Sequence, residues 1–224
     1  MSNTFLSSLE HDAHTSYEVL RKGGLVLLPT DVGYGLVAME EDAVKALYEA
    51  KGRPLSKPCV TVANAAIFDD LVLPIRGEER AWLAETSMRT PIAVIAELDP
   101  ASRLLASMGP YVREQATQKG SIATFHSAGP IVERIAELAY ADGRVVMGSS
   151  ANLAGTGNNY RFEDVPDSMR RLTTLAIDRG PAWYMNEQKL ASTILDLRTG
   201  TFQRQGINYA LIERSWHMLQ RRAA

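Results

Sequence analysis

Short apolar runs alternate with segments of helical periodicity along nearly the whole chain, and this alternation most restricts the fold. Leu25–Leu28, Pro58–Ala63, Pro91–Leu98, Ser121–Phe125, Val145–Gly148 and Leu175–Asp178 have the length and character of strands, with Pro29 expected to end the first. Between them, Leu9, Ala13, Tyr17 and Leu20 share one helical face. So do Ala43, Ala46, Leu47 and Ala50, and again Ile131, Ile135, Leu138 and Ala139. Gly23-Gly24 stops the first helix, and Pro130 opens the third of these. Further helices are expected over Asn64–Leu71, over Glu78–Thr86 and from Glu163–Pro166 to Leu172. Ser192–Leu197 and Thr201–Arg204 pair as a hairpin. Residues 100–119 mix helical and breaking signals and read as an insertion or lid. The pattern defines one α/β domain over residues 1–208, followed by a helical tail at 209–224.

Composition excludes more than it selects. With 24 Lys and Arg against 26 Asp and Glu, the net charge of −2 provides no global basic field, so any RNA contact has to use a local patch. A single cysteine, Cys59, excludes an internal disulfide framework and points to a reducing compartment, the cytoplasm. The first residues lack the basic and apolar regions of a secretory signal, and no run is long enough to span a membrane. There is no GxxxxGKS/T, HExxH, GxGxxG or GxSxG motif, and His11, His14, His126 and His217 lack metal-ligand spacing. No metal site is expected.

What remains is a set of polar loops at strand ends, where open α/β sheets bind ligands. Pro29-Thr30-Asp31 follows one strand, with Gly33 and Gly35 on either side of Tyr34 to admit close backbone approach. Lys51 and Arg53 follow a helix, and extended chain before Pro54 aims both at one anion. Ser149-Ser150-Ala151-Asn152 follows another strand. Hydroxyls, an amide and two cations suit a polyphosphate. Each also has a plain structural reading: Lys51 as a cation favoured at a helix C-terminus, Arg53 as a surface charge, and the serine run as a turn or cap.

Taken in order, three blocks resemble the YrdC-like family of threonylcarbamoyl-adenylate synthases. They are PTDVGYGL (Pro29–Leu36), KGRPLSKP (Lys51–Pro58) and SSANLAG (Ser149–Gly155), with weaker echoes in STILDL (Ser192–Leu197) and RQG (Arg204–Gly206). The resemblance implies a twisted, open, mixed β-sheet flanked by helices, with a concave ligand groove. It implies that L-threonine, bicarbonate and ATP give threonylcarbamoyl-adenylate and pyrophosphate. A partner tRNA threonylcarbamoyl transferase then uses the adenylate. By position, Lys51 and Arg53 are the catalytic cations, and Ser150, Asn152 and Arg204 join them in binding ATP. Thr30, Tyr34, Ser192 and His126 bind the acceptor substrate. Mg²⁺ arrives with ATP, and no tightly bound cofactor is implied.

The departures fall on the acceptor side. Val32 stands where the family has a second threonine, and the middle strand reads Thr90-Pro91-Ile92-Ala93. The block after Ser121 reads Phe125-His126-Ser127-Ala128-Gly129-Pro130, with Phe125 in place of an arginine. His126 reads either as a replacement donor or as a buried histidine bonded to backbone. The alternatives are a paralogue with another acceptor, and a non-catalytic member that binds nucleotide or double-stranded RNA.

Overall fold

The computed structural model describes residues 3–223. In chain order its elements are α1 (Asn3–Leu20), β1 (Val26–Thr30), β2 (Gly33–Ala38), α2 (Glu41–Lys51) and β3 (Val60–Val62). There follow α3 (Ala65–Leu71), α4 (Gly77–Ser87), β4 (Ile92–Glu97), α5 (Arg103–Ser107), α6 (Pro110–Ala116), β5 (Thr117–Gln118) and β6 (Ser121–His126). The rest are α7 (Pro130–Ala141), β7 (Met147–Ser150), α8 (Asp167–Leu172), β8 (Leu175–Ala176), β9 (Thr193–Asp196), β10 (Thr201–Arg204) and α9 (Tyr209–Ala223).

The strands form one mixed sheet in the order β10-β9-β4-β6-β3-β7-β2-β1-β8, with β5 paired to β6 off that path. β3 and β6 run parallel, as do β4 and β9, and β1 and β8. The other pairs, including β2 with β7 and β4 with β6, are antiparallel. The expected mixed α/β sheet with flanking helices is the observed architecture. The α1 stripe reaches the core through Ala13, Tyr17 and Leu20, and α1 lies against α7. α9 buries Ile212 and Trp216, and the Trp216 ring meets Trp82 of α4 edge-on, with centroids 4.9 Å apart.

Three local expectations are corrected. Pro29 does not end β1 but pairs with Tyr34, whose N–H leaves the ladder for Asn159 O at 2.8 Å. Proline is tolerated where its register position does not require an N–H. Ser149 and Ser150 belong to β7 rather than to the loop after it. Residues 100–119 are not a lid: Leu104, Leu105, Val112 and Ala116 are in the core, and Asp70 of α3 accepts from Ser102 Oγ, Arg103 Nε and Leu104 N.

Candidate active site

Strand alternation puts every second side chain on one face of the sheet, and this face carries a groove of about 260 Å³. Its lining takes alternate residues of β3 (Val60 and Val62) and β6 (Ala123 and Phe125), and consecutive residues of β2 (Gly33 to Val37) and β7 (Gly148 to Ser150). Gly35 pairs with Ser150, and Val37 with Gly148, so small residues lie side by side across neighbouring strands. That absence of side-chain bulk makes the surface concave. No reading of the motifs had singled out Gly148 or Ala123; a small residue inside an otherwise bulky strand is the signal that could have found them.

Lys51 is the last residue of α2, and Gly52 ends the helix in the left-handed region at φ 54, ψ 37. Gly52 N–H bonds Glu49 O and Arg53 N–H bonds Tyr48 O, both at 3.0 Å. This helix end, not extended chain, turns Lys51 and Arg53 toward β7. Lys51 is 4% exposed, and its Nζ donates to Ser150 O, to Asn152 O at 2.7 Å and to Asn152 Oδ1 at 3.2 Å. Those three acceptors use its three N–H bonds, so Lys51 lies behind the groove as a strut between α2 and the end of β7. Burial, and secondarily the Arg53 charge, push its pKa down to about 8.

Arg53 lines the groove, donating from Nη2 to Pro58 O at 2.6 Å, from Nε to Lys57 O at 3.0 Å and from Nη1 to Ser149 Oγ at 3.4 Å. Arg204 also lines it, with Nε on Ser192 O at 2.7 Å and Nη2 on Ser192 Oγ at 2.9 Å. A register shift in the β9–β10 hairpin places Arg204 opposite Ile194, although Phe202 is opposite Leu195. Burial and then Arg53 push the Arg204 pKa down to about 10. Among the described residues none of the hydrogen-bond partners of Lys51, Arg53 or Arg204 is a carboxylate, so Arg53 and Arg204 line the groove, and Lys51 lies behind it, without an acidic partner.

The remaining expected residues separate. Ser150 lines the groove, and its Oγ donates to Asn152 Oδ1; Asn152 itself is buried behind it, with Nδ2 on Leu153 O. Thr30 lines the groove, but its hydroxyl donates to Gly33 O at 2.5 Å and accepts from Val32 N at 3.2 Å. Tyr34 borders the groove, yet its hydroxyl donates to Asp178 Oδ1 at 2.6 Å and Gly180 O at 2.9 Å. Ser192 lines it beneath Arg204. His126 is outside it. As the neighbour of Phe125 on β6 it takes the opposite face, its Nε2 lies 3.0 Å from Thr124 Oγ1, and its ring meets Phe68 edge-on. Burial, with a smaller contribution from the Arg80 charge, pushes its pKa down to about 4. Asn158, unremarked in the sequence, lines the groove with Nδ2 on Val32 O at 2.6 Å.

The concave face of this mixed sheet thus carries two guanidinium groups, Arg53 and Arg204, in the lining of its groove. Residues 18–206 match the Sua5/YciO/YrdC family model, described as telomere recombination, and the chain belongs to that family. It is 32% identical over 162 residues to the threonylcarbamoyl-AMP synthase of Stenotrophomonas maltophilia, covering 71% of this chain and 81% of that one. It is 28% identical over 182 residues to the threonylcarbamoyl-AMP synthase of Pyrococcus abyssi, covering 80% of this chain. There the matched part is 48% of the relative, so the chain spans about half the length of that protein. Among solved structures, Pyrococcus abyssi Sua5 complexed with L-threonine superposes with a TM-score of 0.74 at 24% identity, covering 92% of this chain and 57% of that one. The Escherichia coli YciO structure has a TM-score of 0.63 at 19% identity, covering 88% and 90% of the two chains. These two likenesses bear on the fold.

Proposed function

We propose that this chain is an enzyme that makes a carbamoyl-adenylate from an L-amino acid, bicarbonate and ATP, releasing pyrophosphate. The observation that carries the reading is the cationic rim: Arg53 and Arg204 in the groove, and Lys51 behind it, with carbonyl and hydroxyl partners only. Such cations suit a polyphosphate, whose transfer depends on positioning and charge neutralisation. In this reading Arg53 and Arg204 hold the phosphates and offset charge as pyrophosphate leaves. Lys51 fixes the Ser150–Asn152 turn and adds its charge from behind. Ser150 faces the nucleotide, and Thr30 and Ser192 border the acceptor. Mg²⁺ enters with ATP. The reacting groups come from the substrates, so no nucleophile of the protein is required.

The names of the relatives make L-threonine the reference acceptor and threonylcarbamoyl-adenylate the reference product, and in this reading a transferase acting on tRNA takes up that product. The test is incubation with ATP, Mg²⁺, bicarbonate and L-threonine, with pyrophosphate followed by a coupled assay and the adenylate by mass spectrometry. Both products are expected. ATP binding without turnover on any proteinogenic amino acid would overturn the reaction and leave a nucleotide-binding protein. A second reading keeps the chemistry and changes the acceptor; it is favoured by the apolar wall that Val32 and Phe125 give the groove.

A further inference from the structure

Two neighbouring side chains outside the three sequence blocks reach into them. The segment after Gly157 runs beside the β1–β2 turn, where Tyr34 N–H bonds Asn159 O at 2.8 Å and Asn158 N–H bonds Lys189 O at 3.0 Å. Gly33 admits this approach, because a Cβ there would lie 3.0 Å from both Asn159 O and Asn158 Nδ2. From this position the two side chains part. Asn158 Nδ2 donates to Val32 O at 2.6 Å, and Asn159 Nδ2 donates to Ala151 O at 2.7 Å. Both residues are buried, and the pair spans the first block and the third.

The Asn159 bond completes a pattern at the end of β7. Three successive carbonyls, Ser150 O, Ala151 O and Asn152 O, are taken by side chains from two directions. Lys51 Nζ holds the first and third, and Asn159 Nδ2 holds the middle one. Ala151 is fully buried, and its carbonyl accepts no other hydrogen bond among the described residues. We infer that Asn159 is a positioning residue for the nucleotide half of the site: it fixes the Ala151 peptide and, through it, the Ser150 hydroxyl and the carbonyls that orient Lys51. This rests on the reading of the groove as a nucleotide site and names a residue on which that site depends. Asn159 acts through the turn and does not itself line the groove.

Without the amide, the buried Ala151 carbonyl is left unpaired, and the peptide turns to recover a partner. Ser150 Oγ donates to Asn152 Oδ1 across that peptide, so its rotation carries the hydroxyl with it. Asn152 O moves as well, and an ammonium on a flexible stem follows its acceptors. The two braces therefore share one object, a neutral donor on the middle carbonyl and a cation on the outer two. The main-chain bond from Tyr34 N to Asn159 O does not involve the amide, so the segment keeps its path when the side chain is changed. Because the Asn159 side chain bonds only the third block, its loss falls on the nucleotide and spares the acceptor loop at Val32, which Asn158 holds.

The test is a double-mutant cycle on Mg·ATP affinity, measured by calorimetry on the unaltered protein, Asn159→Leu, Lys51→Met and the double variant, with thermal melts as the folding control. Asn159→Leu is expected to weaken Mg·ATP by about tenfold or more, the cost of one unpaired buried carbonyl. The KM for ATP should rise to match, while the KM for the amino-acid acceptor stays within about twofold. The double variant is expected to fall short of the product of the two single losses by at least about threefold, because both side chains hold one turn. If Asn159→Leu does not fold, Asn159→Asp keeps the volume and turns an oxygen toward Ala151 O, and the same loss is expected of it. A folded variant with Mg·ATP affinity within about twofold of the unaltered protein overturns the positioning role. So do single losses that multiply, or an acceptor KM that moves as far as the KM for ATP; each of these leaves the nucleotide reading standing. An unaltered protein that does not bind Mg·ATP overturns that reading and this inference with it.

Discussion

The cationic rim and the apolar wall share one sheet face, but they hold their groups by opposite means. In the rim, Arg53, Arg204 and Lys51 are fixed by Lys57 O, Pro58 O, Ser192 O, Ser150 O and Asn152 O. A carbonyl orients a cation without neutralising it, so the field remains available to a ligand and the native state bears the strain. The lowered pKa values of Lys51 and Arg204 record that cost. In the wall, Val32, Phe125, Ala128 and Val132 hold their positions by packing, and burial of apolar surface stabilises the fold while shaping the site. The rim is organised against stability, whereas the wall is organised with it.

The sharpest way to break this contrast is to remove the rim. A charged hydrogen bond contributes about 1.5–3 kcal/mol, so the double variant Arg53→Ala/Arg204→Ala is expected to lose about 10³-fold or more in affinity for Mg·ATP. Its melting temperature should hold or rise, because two like charges have gone. Calorimetry and a thermal melt check both, and affinity kept within about threefold would remove the rim from nucleotide binding. His126, which belongs to neither surface, supplies the contrast of a purely structural group. Its folded pKa of about 4 lies below the ordinary 6.5, so below pH 6.5 the unfolded chain binds a proton that the native state refuses. Stability should therefore fall as pH drops through that window, by on the order of 3 kcal/mol in all. Urea midpoints at neutral and acid pH measure this, and His126→Phe should flatten the slope without altering amino-acid preference.

The smallest effect belongs to Lys51. Above pH about 8 it loses its charge, so Mg·ATP affinity should decline by up to about tenfold per pH unit. Its contribution to stability has the opposite sign. The charge is penalised only in the native state, so stability gains between pH about 8 and the ordinary 10.5. Affinity that stays flat across that range would exclude Lys51 from the rim's field.

Much of the fold was legible because its signals are local. The α1 stripe, the Gly23 stop, the Asn64 cap of α3, which accepts from Ile67 N at 3.0 Å, and the β9–β10 hairpin all lie within a few residues of their cause. The rim was legible as a set of residue types, but its division of labour was not. Whether Lys51 reaches the groove or braces β7 depends on carbonyls about a hundred positions away. Which of the two readings of His126 the fold favours was already contained in strand parity: once Phe125 faces the groove, its neighbour takes the other face of β6. Residues 100–119 were obscure because Gly109-Pro110 reads as a break in the chain. In the structure Gly109 flanks the start of α6, which packs against α2 as well as its chain neighbour β5.

The register shift in the β9–β10 hairpin has a consequence for how this groove tolerates insertion and deletion. In an even ladder from Phe202 opposite Leu195, Gln203 would face Ile194, and a neutral amide would occupy the place of a cation. The extra residue makes Arg204 the occupant. Removing Gln203 would shorten the strand by one residue and still leave arginine opposite Ile194, whereas adding one residue would displace it. The charge of the groove at this edge is thus set by a count of residues as much as by their identity, and Gln203 is a spacer the site can lose.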